Sequence, residues 1–431
     1  MSAELLESFK KAYSNLDLFP LMTKKEIKEF RVDYGDDIIA DLEQLVEDSP
    51  NGDGKIIFTG HRGCGKSTLL AEFKNQIQEN NYFVVLFSIA NTIEMSAVNH
   101  INILFAIALQ LMSEAEAKQV EIPSNTKKAI EDWFAKRTRV LEKEGKVENK
   151  LGFNIFNLIS TELKADATVR EEITKEFERK ISDLVAQINL IASLIQTVTK
   201  KKILVIIDDL DKLDLAKVRE IFQDNIKALC QPGFQIIYTI PIAVIRETVL
   251  SSIINSEIDD QLVPMPVLKL FEKGKSRQPE QQTRTEATDI LCSILQKRIS
   301  RELLESQTAI KIVIQSGGVL REMIRIAQEC CRICLRNIRR KPGETVIIND
   351  EILEQAIKKL RNDFTIRLGK VDFEILATTY QEFMPDDPKQ QEFLDLLHGL
   401  YVLEYRNDET WYDVHPILVE TLSRRGLING E

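Results

Sequence analysis

Lys55-Ile56-Ile57-Phe58-Thr59-Gly60-His61-Arg62-Gly63-Cys64-Gly65-Lys66-Ser67-Thr68-Leu69-Leu70 reads as a short apolar strand, a glycine-rich turn and the first turns of a helix. Gly60, Gly65, Lys66 and Ser67 have the spacing G-x-x-x-x-G-K-[ST] of a phosphate-binding loop. Glycines let the backbone wrap close to a triphosphate, and successive N–H groups at a helix N-terminus supply donors and partial positive charge. Lys66 can reach the outer phosphates, and the Ser67 hydroxyl can ligate Mg2+. The competing reading is a chance glycine turn before a helix. The strand before it and the helix after it argue against chance.

Working outward, Tyr82 to Ile89 is a continuous apolar run, the mark of a strand buried on both faces. Ile203-Leu204-Val205-Ile206-Ile207 is another, and it ends in Asp208-Asp209-Leu210-Asp211. An apolar strand closing on carboxylates matches the Walker B pattern, whose first carboxylate, here Asp208, holds Mg2+. Asp209 follows where a carboxylate can orient and deprotonate an attacking water. A third strand, Phe234 to Ile240, carries Thr239 near its end, and Leu262 to Leu270 reads as a further strand. Strands alternating with helices predict a parallel α/β sheet.

Between about Asn91 and Lys202 the alternation stops. The pattern there predicts helices over Ala97–Glu114, Ser124–Arg139 and Thr168–Thr199, with a hairpin or strand over Leu151–Leu163. Short helices are predicted over 2–15, 24–30 and Asp36–Val46, and one helix over Ala216–Leu229. Phe271 to Glu286 reads as a loop. From Ala287 the chain turns helical: Ala287–Glu302, Arg301–Gln315, a helix opened by Gly317-Gly318 and running to Arg339, and Asp350–Arg367. The tail reads helix, helix, a hairpin over Tyr401–Val414 and a helix over His415–Arg425.

A chain of 431 residues has room for roughly two to four domains, and 44% apolar with 29% charged residues is ordinary for a globular protein. The net charge of −10 argues against a coat for nucleic acid. No stretch approaches eighteen uninterrupted apolar residues, so no membrane partner is expected, and the N-terminus lacks a secretory pattern. A cytoplasmic location is the expectation. Cys331 and Cys334 form a lone C-x-x-C inside a helical pattern, which reads as core rather than metal site.

The series GHRGCGKST, ILVIIDDLDKL, IIYTIP and GGVLREMIRIAQ, in this order, resembles AAA+ ATPases over roughly residues 31–431. The likeness is to their initiator and signal-transducing (STAND-like) branches, with a bacterial look. It implies a P-loop NTPase sheet of the ASCE type, with the sensor strand between the P-loop strand and the Walker B strand. It further implies an N-terminal helical segment (1–50), an ATPase core (51–270) with an insertion at about 91–202, a helical lid (286–368) and a winged-helix domain (369–431). Carried over, Gly60, His61, Arg62, Gly63, Cys64, Gly65, Lys66, Ser67 and Thr68 hold ATP, and Ser67 and Asp208 hold Mg2+. Lys66 and Asp209 serve hydrolysis, Thr239 is sensor 1 and Arg321 is sensor 2. Phe30-Arg31-Val32-Asp33-Tyr34 lies where such proteins contact adenine. Two features depart from the pattern. The insertion sets Lys66 far from Asp208 in sequence, and no arginine finger is evident beyond the candidates Arg246 and Arg170.

A finger supplied in trans is worth a factor of about 10³–10⁵, so its lack predicts slow turnover and a switch rather than a motor. Asp209 in place of the commoner Glu is one methylene shorter and predicts the same. From Lys370 to Glu431 five basic residues face thirteen acidic ones, which disfavours DNA binding by the winged helix and favours a protein partner. Against that stands the basic run Arg332, Arg336, Arg339, Arg340 and Lys341. The expected function is a nucleotide-dependent switch or assembly ATPase engaging protein partners, with a nucleotide-dependent homo-oligomer and a bacterial signalling or defence setting in view. The alternative is a DNA-associated ATPase of the initiator or loader kind. A small-molecule kinase is a third reading, for which no acceptor pocket is evident.

Overall fold

Side chains that are apolar on both faces set the strands. In a computed structural model of the chain, Lys55–Gly60 and Gln235–Pro241 are buried at every position, and Lys202–Asp208 at every position but the first. The structure describes residues 2–78, 81–138, 155–278, 283–341, 343–406 and 409–428. In chain order the first elements are α1 (Ser2–Asn15), α2 (Lys24–Phe30), α3 (Asp36–Glu47), β1 (Lys55–Gly60), α4 (Lys66–Ile77), β2 (Tyr82–Ser88) and α5 (Ile89–Thr92). The insertion adds α6 (His100–Ala117), α7 (Ser124–Thr138), α8 (Ile155–Ala165), α9 (Ala167–Phe177) and α10 (Ile181–Thr199). Then follow β3 (Lys202–Asp208), α11 (Leu215–Phe222), α12 (Ile226–Cys230), β4 (Gln235–Pro241), α13 (Thr248–Glu257) and β5 (Leu262–Met265). The remainder is α14 (Thr285–Gln296), α15 (Ser306–Gln315), α16 (Leu320–Arg340), α17 (Asp350–Thr365), α18 (Lys370–Glu382), α19 (Gln391–His398), β6 (Val402–Arg406), β7 (Thr410–Val414) and α20 (Pro416–Arg424).

The sheet order is β2-β3-β4-β1-β5. β2 and β3 pair in parallel from Tyr82↔Lys202 to Ser88↔Asp208, and β3 and β4 from Leu204↔Gln235 to Ile207↔Tyr238. β4 therefore lies between β1, which leads into the phosphate loop, and β3, which carries the carboxylates. That is the P-loop NTPase arrangement expected from the resemblance.

Several boundaries differ from the sequence reading. The hairpin or strand expected over Leu151–Leu163 is the helix α8, and residues 151–154 lie outside the described residues. Phe156, Ile159 and Leu163 are buried, a helical spacing that outweighs the partial alternation. The single helix over Thr168–Thr199 is two, because the backbone leaves helical geometry at Lys180 (φ −136°, ψ 37°). Ala216–Leu229 likewise divides into α11 and α12, with Asn225 at φ −131°, ψ 11°. β5 ends at Met265 rather than Leu270.

By its internal contacts the chain divides into two units, 37–59 with 73–263, and 1–36 with 60–72 and 264–431. In the first, helices α6 to α10 form the insertion around an aromatic cluster. Phe134 meets Phe105, Trp133 and Phe156 edge to face at 4.9–5.5 Å between centroids. α10 packs on α6 and β3. By length and composition alone it is also apolar enough to cross a membrane, although its buried face (Leu184, Ile188, Ile191, Ile195) is used in this packing.

In the second unit α16 packs on α1 and α17, with Cys330, Cys331 and Cys334 fully buried. Burial pushes the Cys334 thiol up to about 12, so these cysteines are inert core. β6 and β7 form an antiparallel hairpin from Val402↔Val414 to Arg406↔Thr410. His415, wholly buried, caps α20 by accepting the Ile417 N–H at Nδ1. Burial, with smaller repulsion from Arg325 and His61, lowers its pKa to about 3. The unfolded chain takes up that proton near pH 6.5, so stability should fall as pH drops from about 6.5 toward 3, by on the order of 2 kcal/mol at pH 5. Thermal unfolding across that range checks this, and His415→Asn should flatten the slope.

Candidate nucleotide-binding site

The phosphate loop belongs to the second unit. Within the loop Gly63 has φ 80° and Gly65 φ 107°. A Cβ on Gly63 would lie 2.5 Å from the Arg321 Cβ, and one on Gly65 would lie 2.0 Å from the Tyr34 hydroxyl. Both positions therefore demand glycine on conformation and on space. Lys66, 4% exposed, donates through Nζ to the Gly60 and His61 carbonyls, each at 2.8 Å, so its ammonium group lies within the loop it serves. Ser67 and Thr68 open α4. Ser67 is partly exposed, and the Thr68 hydroxyl accepts the Leu21 N–H at 3.0 Å. Cys64 is buried, which favours an inert small residue over a reactive thiol.

The loop is tied to distant parts of its own unit. The Arg321 N–H donates to the Gly63 carbonyl at 3.0 Å. His61 Nε2 accepts the Glu404 N–H at 2.8 Å, and the Arg62 guanidinium donates to His398 Nε2 at 2.7 Å. Arg321 thus sits at the start of α16 with its backbone against the loop. Glu322 beside it is buried, which raises its carboxyl pKa against the lowering effect of Arg325 and Arg321.

Phe30–Tyr34 also reaches the loop. Arg31 pairs with Glu72 of α4 and donates to the Tyr34 carbonyl at 3.1 Å, while Lys297 and Arg298 donate to the Arg31 and Phe30 carbonyls. The Tyr34 hydroxyl is held against Gly65, and burial, the main cause, raises its pKa above the ordinary tyrosine range.

The carboxylates belong to the first unit. Asp208, Asp209 and Asp211 are buried, and each offers an oxygen within 4.8 Å of the others. Hard oxygen donors at this spacing suit Mg2+. Asp209 adopts left-handed geometry (φ 70°) and its Oδ2 accepts the Ser88 hydroxyl at 2.6 Å, while Lys212 lies 2.6 Å from Oδ1. Asp208 Oδ1 accepts the Asp209 N–H at 2.8 Å. Thr239, fully buried, donates to the Ile207 carbonyl and accepts the Leu210 N–H, both at 3.2 Å. Its hydroxyl fastens the end of β3 by its backbone.

The finger candidates separate. Arg170 is 4% exposed and donates to the Leu163 and Lys164 carbonyls and to Glu94, so it is taken up inside the insertion and is not a finger. Arg246 is half-buried in a short turn after β4. The sequence reading missed Ser88 and the contacts of His61 and Arg62. Ser88 is the last residue of β2 and stands in register with Asp208, a position that becomes visible once the strands are paired.

Residues 36–224 match the family model described as an AAA ATPase domain. No curated protein sequence matches the chain. Among solved structures, Cdc6p from Pyrobaculum aerophilum is similar at a TM-score of 0.41 and 11% identity, covering 96% of this chain and 98% of that one. Orc1 from Aeropyrum pernix, solved in complex with DNA, gives 0.39 and 10%, covering 94% and 96%. A RuvB variant from Thermotoga maritima gives 0.39 and 14%, covering 96% and 100%. At these scores and identities the likenesses carry no function to this chain.

Proposed function

We propose that this chain, with an AAA ATPase domain over residues 36–224, binds ATP with Mg2+, hydrolyses it slowly and uses it as a switch governing a protein partner. In this reading the loop N–H groups and Lys66 take the phosphates, Ser67 and Asp208 would hold the metal, and Asp209 orients and deprotonates the attacking water. Mg2+, when bound, would offset negative charge on the phosphates. The Asp209 carboxylate is held by Ser88 and Lys212, and its short side chain and existing bonds favour low turnover.

One observation carries the switch: residues of the phosphate loop are bonded directly to the C-terminal part of the chain. His61 and Arg62 are hydrogen-bonded to Glu404 and His398, and Gly63 to Arg321. A change in the loop on binding phosphate would act on the α19–β6 region and on α16. Hydrogen exchange tests this. The Glu404 amide should change its protection by about tenfold or more, equivalent to ~1.4 kcal/mol, when ATP is added. Equal protection with and without ATP would remove the switch. Light scattering with ATP and no DNA should show a homo-oligomer if the switch drives assembly.

The DNA-associated reading is favoured by one feature. Arg332, Arg336, Arg339, Arg340 and Lys341 are exposed on α16 and just beyond its end. If DNA is the partner, ATPase activity should rise with DNA and the gain should fall steeply with salt. Replacing Arg336, Arg339 and Arg340 with alanine should then remove the stimulation. If a protein is the partner, DNA should leave the rate unchanged.

A further inference from the structure

The 264–431 part of the chain contains a cavity of about 190 Å³ apart from the phosphate loop. Its walls include four aromatic side chains, Phe271, Tyr380, Tyr405 and Trp411. Tyr405 and Trp411 are stacked, with centroids 4.6 Å apart and planes 23° apart. Ser276, Arg277, Gln315 and Asp413 supply the polar lining. Arg277 is immobilised three ways: its guanidinium lies 3.8 Å from the Tyr380 and Phe383 ring centroids, and it pairs with Asp413 at 2.6 Å. Immobilised aromatic and polar groups around a preformed hollow are what a small-molecule site requires.

The lining also selects the kind of ligand. Arg277 and Asp413 cancel in charge, so the cavity has no net charge to offer an ion. Asp413 itself is raised to about 6 by burial, which shows how poorly the surroundings solvate charge. The flat walls suit a flat ring. Gln315 and Ser276 each both donate and accept, so the complementary edge carries donors and acceptors together. At this volume, below the roughly 300–1,000 Å³ of drug-sized sites, the occupant has one ring or two fused rings.

Two wall residues stand next to the ties of the phosphate loop. The Tyr405 hydroxyl donates to the Gly317 carbonyl at 2.8 Å, and Gly317 also lines the cavity. Shortly after Gly317 comes Arg321, whose N–H bonds Gly63, and next to Tyr405 is Glu404, whose N–H bonds His61. A ligand that moves Tyr405 or Gly317 would therefore pull on the loop at two points.

We propose that this cavity binds a neutral, flat heteroaromatic molecule of nucleobase size, with donors and acceptors along its edge, and that this ligand is the input to the switch. The input role rests on the switch reading above; the binding does not.

The test uses the full chain, with saturation-transfer NMR and calorimetry, and uracil and nicotinamide as probes. Benzoate serves as a charged ring of similar size and toluene as a ring without a polar edge. Uracil or nicotinamide should bind at least tenfold more tightly than benzoate and toluene. Gln315→Leu and Ser276→Ala, both at partly exposed positions, should weaken that binding several-fold while leaving circular dichroism unchanged. Lys66→Ala should retain it, which separates the cavity from the phosphate loop. The site is overturned if neither probe binds up to about ten millimolar, if benzoate or toluene binds equally well, or if both cavity variants bind as the parent does. With binding established, unchanged Glu404 amide protection and ATPase rate on adding the probe would overturn the input role.

Discussion

Lys66→Ala should lower ATP affinity by about 10²-fold or more, the loss expected when two charge-assisted contacts of ~1.5–3 kcal/mol each are removed. The ammonium group already lies inside the loop, bonded to the Gly60 and His61 carbonyls, so little rearrangement is needed for it to meet phosphate oxygens. Lys66→Arg should not rescue, because a planar guanidinium cannot occupy the place of a compact ammonium in a loop this closely lined. Calorimetric titration with ATP and Mg2+ checks both variants. Circular dichroism guards against a folding defect, since the substitution also strips two carbonyls of their donor. Unchanged affinity in Lys66→Ala would refute the phosphate-loop assignment.

Asp209→Asn should separate binding from chemistry. Asparagine tolerates the left-handed geometry at this position, and its amide oxygen can still accept the Ser88 hydroxyl, so the loop after β3 should keep its shape. What is lost is a group able to accept a proton from water. The expected result is a fall in kcat of about 10²–10⁴ with the ATP dissociation constant unchanged within a few-fold. Phosphate release measured beside ATP binding decides it. Full turnover would remove Asp209 from the hydrolytic role.

Much of the fold was legible because its signals are local. Strands β1 to β4 show as apolar runs, since strands covered on both faces are apolar nearly throughout. The phosphate loop shows because glycine, lysine and serine must fall at set spacings along one short stretch. Helix breaks were less legible. Thr168–Thr199 keeps helical periodicity across Glu178-Arg179-Lys180, and nothing in that pattern announces the turn. Arg170 could not be classified from sequence, because what decides its role is burial against the Leu163 and Lys164 carbonyls.

The sequence by itself determined where the candidate groups fall: the glycine-rich loop at Gly60–Thr68, the carboxylates at the end of β3, and a sheet to carry them. These depend on neighbours within a few residues, so the code is short-range. Tertiary structure alone decided what the phosphate loop is fastened to. The bond from the Glu404 N–H to His61, the bond from Arg62 to His398 and the position of Tyr34 against Gly65 join residues with no local relation, and each exists only because packing brings their elements together. The same holds for Ser88 on Asp209, which follows from the register of β2 on β3. Backbone pattern can place a donor at a strand end, but which acceptor it meets is set by how the strands and helices pack.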